Sequence, residues 1–138
     1  MAAAQELEGV QLLIGVLSFH SPTALARRVA MRQFTSNHSG AVALRFVMAS
    51  SEPDADADAA DVWNLTVVEN TRAIGVYLLT NAFFRRACAL RPLVSFIGRA
   101  DDDAYFDPDT VLIELRVAQR YWRAQGAADV VYSFFNQW

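Results

Sequence analysis

An α/β fold with a mainly parallel sheet is what this sequence predicts, on three observations. Short apolar runs that suit buried strands alternate with longer stretches of helical periodicity, the pattern of β-α-β units. Two of the helical stretches open on a capping residue followed by proline, Ser21-Pro22 and Asp107-Pro108. The run Leu93-Val94-Ser95-Phe96-Ile97-Gly98 is too short for an independent helix and leads into Asp101, Asp102 and Asp103. Such a sequence fits the carboxyl end of a buried strand, where open α/β sheets place their ligands.

Each element follows in chain order. Residues 1–9 read as a flexible leader, and residues 10–138 as one domain. Gln11 to Phe19 predicts a fully buried strand. The helix beginning at Pro22 places Leu25, Ala26, Val29 and Ala30 on one face and runs to about Phe34. A turn at Ser36 to Gly40 separates it from a second strand, Ala41 to Ala49. Residues 51–60, rich in Asp and Ala, predict a mobile surface loop. Residues 61–68 suit a third strand, and 71–89 a long helix apolar nearly all round and therefore buried. After the strand at 94–98, Asp107 caps a helix with Val111, Leu115, Ala118 and Trp122 on one stripe, ended by Gly126. Residues 130–135 read as a final strand. Right-handed crossovers make 11–19, 41–49 and 94–98 neighbours in one sheet.

Composition excludes several functions. A net charge of -3 without a Lys/Arg-rich tail leaves no electrostatic footprint for nucleic acid. All 12 basic residues are arginine, so Schiff-base and P-loop lysine mechanisms are excluded, while guanidinium suits phosphate. The single cysteine, Cys88, cannot form an internal disulfide and reads as a buried core thiol. The longest apolar run, Val10 to Phe19, is too short to span a bilayer. No serine occupies a G-x-S-x-G elbow, the two histidines His20 and His38 fall in loops, and no G-x-G-x-x-G follows the first strand. Asp54, Asp56 and Asp58 imitate a calcium loop, but Ala59 and Leu65 stand where glycine and glutamate are required.

The three consecutive aspartates carry the sharpest chemical signal. Crowded carboxylates raise one another's pKa unless a cation neutralises them, and hard oxygen ligands favour Mg²⁺, Mn²⁺ or Ca²⁺. The alternative is an acidic turn whose side chains face water. Arg27, Arg28 and Arg32 lie early on the helix after the first strand, where they either face a ligand at the sheet edge or form a solvated face. A metal beside guanidinium groups is what a nucleotide diphosphate requires.

The segment from Phe96 to Pro108, with Arg99, a spacer, Asp101-Asp102-Asp103 and Tyr105, resembles the Asp-x-Asp region of the β-1,3-galactosyltransferase and Fringe-type glycosyltransferases. Leu13 to Ser18, Arg27-Arg28-Val29-Ala30-Met31-Arg32 and Leu44 to Met48 resemble, in the same order, that family's first strand, its Arg-Arg-x-x-Ile-Arg helix and its second strand. Departures are Phe34-Thr35 for the usual Thr-Trp, Ala49 for a common glycine, and Val76 where many members carry lysine. The resemblance implies a GT-A-type three-layer sandwich and transfer of a hexose or N-acetylhexosamine, with inversion, from a UDP-sugar to a glycan or glycoprotein acceptor. It implies Mn²⁺ or another divalent cation at Asp101 and Asp103, with Arg27, Arg28, Arg32, Asp101 and Asp102 on the nucleotide side. It also implies a Golgi or secretory lumen, membrane attachment only through an anchor outside this chain, and a catalytic base beyond Trp138. No segment like Glu-Asp-Val-x-x-Gly follows Trp122. Two rivals are a non-catalytic α/β binding module with an acidic loop, and a calcium module built on Asp54 to Asp58.

Overall fold

The computed structural model describes residues 7–50, 56, 58–67, 72–90 and 93–127. Among them are four strands, β1 (Leu12–Leu17), β2 (Val42–Ala49), β3 (Val62–Leu65) and β4 (Phe96–Asp101), and three helices, α1 (Pro22–Phe34), α2 (Arg72–Cys88) and α3 (Pro108–Ala124). The strands form one sheet in the order β3-β2-β1-β4, all parallel. The expected final strand at 130–135 lies outside the described residues, as do Asp54 and Ala55.

β1 is the centre of the sheet, and its six residues are all buried. That is why it reads as a continuous apolar run rather than an alternating one. Its even positions Leu12, Ile14 and Val16 join Val42, Leu44 and Phe46 of β2 under Met31 of α1 and Leu112 of α3. Its odd positions Leu13 and Leu17 join Ala43, Val47, Trp63 and Leu65 under Leu79, Phe83 and Ala87 of α2. Helices therefore cover both faces of the sheet. Gly15 is required by this packing, because a Cβ built there would lie 2.4 Å from the Phe83 ring.

The caps are those read from sequence. Ser21 Oγ accepts from Ala24 N–H at 3.1 Å ahead of Pro22, and an Asp107 carboxylate oxygen accepts from Asp109 N–H at 3.1 Å ahead of Pro108. α3 stops at Gly126, whose φ of 83° is open to glycine at little cost. Asp109 also tethers the turn after α1, accepting from Ser39 N–H at 2.8 Å and Ser39 Oγ at 2.5 Å.

Several expectations need correction. Cys88 is exposed, not a core thiol. α2 buries Leu79, Phe83 and Ala87, a four-residue spacing, and Cys88 falls about 100° away from that line. For the same reason α2 is one-faced rather than buried all round, with Tyr77 70% and Phe84 36% exposed. Trp122 is 45% exposed, because α3 packs through Leu112, Val111 and Leu115 and all of residues 120–126 are exposed. β4 begins at Phe96 and runs through Asp101, so the first aspartate belongs to the strand. Leu7, in the expected leader, packs into the core at 2% exposure.

Candidate functional site

In a sheet ordered β3-β2-β1-β4, the chain leaves β1 toward β2 on one side, and the next strand added on the other side is β4. The strand order therefore reverses between β1 and β4, and the carboxyl ends of the strands at such a reversal are where open α/β sheets place their ligands. Leu17 and Asp101 are paired at that end. Ser18, the acidic turn and the start of α1 thus meet at the sheet's switch point.

The three aspartates have three different surroundings. Asp102 is 7% exposed and accepts from Ser18 Oγ at 2.8 Å and from Arg27 Nη1 at 3.2 Å. Asp101 is exposed and accepts from Arg99 Nη2 at 2.6 Å, a pair two residues apart on β4. Asp103 is exposed and makes no hydrogen bond or ion pair with the described residues. The crowding that argued for a cation is thus partly relieved by Ser18, Arg27 and Arg99.

The arginines differ as sharply. Arg28 is fully buried, and its guanidinium donates to Ser18 Oγ at 2.8 Å, to Phe19 O at 2.9 Å and to both Asp56 oxygens at 2.8 and 3.1 Å. Arg32 donates to Asp56 at 2.8 Å and to both Asp61 oxygens at 2.7 and 2.8 Å, and stacks on the Phe46 ring at 4.8 Å. These forks match carboxylate geometry, and the hydrogen bond to Asp61 above all holds the Arg32 pKa higher than usual. Arg27 has a side chain 45% exposed and a single 3.2 Å contact with Asp102. Asp56, expected in a mobile surface loop, is instead held by two guanidinium groups, with only 15% of its side chain exposed.

No protein family, curated protein or solved structure matches the chain. What the site can do is therefore argued from its own atoms. Among the described residues no three His, Cys, Asp or Glu side chains are grouped to hold a metal. The outward carboxylates of Asp101 and Asp103 suit a hard cation that brings most of its own oxygen ligands, as Mg²⁺ and Mn²⁺ do on phosphates. They do not form a self-sufficient cage.

A cavity of about 140 Å³ lies at the same edge of the sheet, lined by Ser18, Phe19, His20, Ala49, Gly75 and Leu79. His20 Nε2 is 2.5 Å from Ala49 O, which requires the proton on Nε2 and ties the β1–α1 turn to the end of β2. A larger open cleft of about 380 Å³ follows the half of β2 not covered by β3, including Val42, Leu44 and Arg45. It lies away from the acidic turn, so position favours the smaller cavity as part of the site.

The sequence placed the aspartates at the carboxyl end of a strand, and of the three it is Asp102 that contacts the first β-α turn and α1. Sequence reasoning missed Ser18 as the bridge between Arg28 and Asp102, and Asp56 and Asp61 as partners of α1. The signal for Ser18 was a polar residue closing an otherwise apolar strand; for Asp56 and Asp61 the sequence carried none.

Proposed function

We propose that the chain forms the nucleotide-sugar side of a GT-A-type inverting hexosyltransferase, using a UDP-sugar donor and a divalent cation. The observation that supports this reading is the acidic turn at the switch point: Asp102 is turned inward onto Ser18 and Arg27, while Asp101, level with the end of β1, and Asp103 are exposed. In this reading Asp103 and Asp101 hold Mn²⁺ directly or through water, and Asp102 fixes the turn through Ser18. The cation, when bound, would offset charge on the departing diphosphate. The acceptor would be a glycan or glycoprotein in the secretory lumen, deprotonated by a base outside the described residues. Among the described residues no helix is long and apolar enough to cross a membrane.

A second reading, an α/β binding module without catalysis, draws on the partners Asp101 and Asp102 already have in Arg99, Arg27 and Ser18. Calorimetry with UDP, with and without Mn²⁺, separates the two. Under the first reading Asp103→Ala abolishes the manganese-dependent part of UDP affinity and Asp58→Ala leaves it intact. Asp56 is unsuitable as the control because its carboxylate holds both the buried Arg28 and Arg32. Equal UDP binding by parent and Asp103→Ala, or none by a well-folded parent, returns the aspartates to an acidic turn.

A further inference from the structure

The three arginines of α1 differ in one respect that decides which can meet a ligand. Arg28 is wholly buried and donates to Ser18, Phe19 and both oxygens of Asp56, and breaking such a buried ion pair is strongly unfavourable. Arg32 is held by three hydrogen bonds to two carboxylates and by the Phe46 ring. Arg27 is different. It is half exposed, has one long contact, and its partner Asp102 keeps the 2.8 Å hydrogen bond from Ser18 when Arg27 leaves. Ser18 in turn is held by Arg28 at 2.8 Å, so the carboxylate stays in place.

We infer that Arg27 is the ligand-contacting arm of this site: it rests on Asp102 and transfers its guanidinium to the diphosphate of an incoming ligand, while Ser18 and Arg28 keep Asp102 fixed. The inference rests on the nucleotide reading of the acidic turn and narrows it. Asp102 acts as a competitor for Arg27 rather than as a ligand of the cation. Arg28 is a positioning residue. The fork of a guanidinium matches two phosphate oxygens, which suits it to diphosphate more than to a single carboxylate oxygen.

The test is calorimetry on the full chain with inorganic pyrophosphate and Mn²⁺, followed by competition with UDP, with melting temperature measured for every variant. Arg27→Ala is expected to weaken pyrophosphate binding by about tenfold or more, the weight of one hydrogen bond between charged groups, without lowering the melting temperature. Arg27→Lys recovers part of that affinity. Asp102→Asn, which keeps size while removing the competing charge, is expected to tighten binding. Unchanged affinity in Arg27→Ala, no pyrophosphate binding by a folded parent, or weaker binding in Asp102→Asn would each overturn the inference. Pyrophosphate bound through Arg27 but not displaced by UDP would sustain the inference and remove the nucleotide reading. Manganese-dependent UDP binding equal in parent and Arg27→Ala would do the reverse.

Discussion

Replacing Gly15 by alanine puts a methyl group into the ring of Phe83. The added carbon would lie 2.4, 2.5 and 2.7 Å from three ring atoms, whereas carbon contacts are optimal from about 3.5 Å. Neither side can retreat. Gly15 is on the central strand, paired with Arg45 on β2 and Arg99 on β4, and Phe83 is 0% exposed between Trp63 and Phe84. Overpacking of this kind costs typically about 1–3 kcal/mol, and two fixed partners place it near about 3. Replacing glycine in a strand returns about 0.5–1 kcal/mol, so the net destabilisation is about 2 kcal/mol. Urea unfolding should show a lower midpoint with an unchanged slope. Phe83→Ala removes all three atoms in the way, so adding Gly15→Ala to it should cost nearly nothing, a coupling of about 2 kcal/mol. A single-mutant effect within about 0.5 kcal/mol, typical of a surface change, or additive costs in the double mutant, would refute the packing argument.

Arg28→Ala should destabilise the chain by about 3 kcal/mol in urea, because it breaks a buried ion pair and takes away the guanidinium that also holds Ser18 and Phe19, whereas Arg27→Ala should fall within about 1 kcal/mol. Asp109 has its pKa lowered by the Ser39 hydroxyl and then by the Ser39 N–H. A carboxylate depressed in the folded state contributes stability above its unfolded pKa of about 3.9 and loses it as pH falls through the lower folded value. The melting-temperature gap between parent and Asp109→Asn should therefore be full at about pH 6 and close as acid protonates the parent. A gap that persists unchanged in acid would separate the Ser39 contact from the carboxylate charge.

The sheet was readable because its strands are short, apolar and separated by capped helices. Ser21-Pro22 and Asp107-Pro108 fix two helix starts by local chemistry alone, and the structure has both where the sequence puts them. What was not readable depends on contacts far apart in the chain. Gly15 carried no meaning until Phe83 was seen to fill the space above it. Arg28 and Arg32, four residues apart, share a helix face that lies about 100° or more round from Arg27, but nothing in the sequence shows that Asp56 and Asp61, brought over by the β2–β3 connection, occupy their guanidinium groups. Cys88 was misread because an apolar neighbourhood says little about which side of a helix meets the sheet. The acidic turn follows β4, but its division into one inward and two outward carboxylates depends on Ser18, just past the end of β1.

The exposed position of Cys88 gives the chain a built-in handle for spectroscopy. α2 carries the chain from the carboxyl end of β3 back to the amino end of β4, so its last residue lies at the edge of the sheet opposite the acidic turn. As the sole thiol in the sequence and an accessible one, it can take a maleimide dye or nitroxide without any engineered cysteine. A label there stands a whole strand length from Asp103, far enough to leave ligand contacts untouched. Manganese is paramagnetic, so relaxation of a nitroxide at Cys88 would report whether, as proposed, the ion binds at the acidic turn and at what distance.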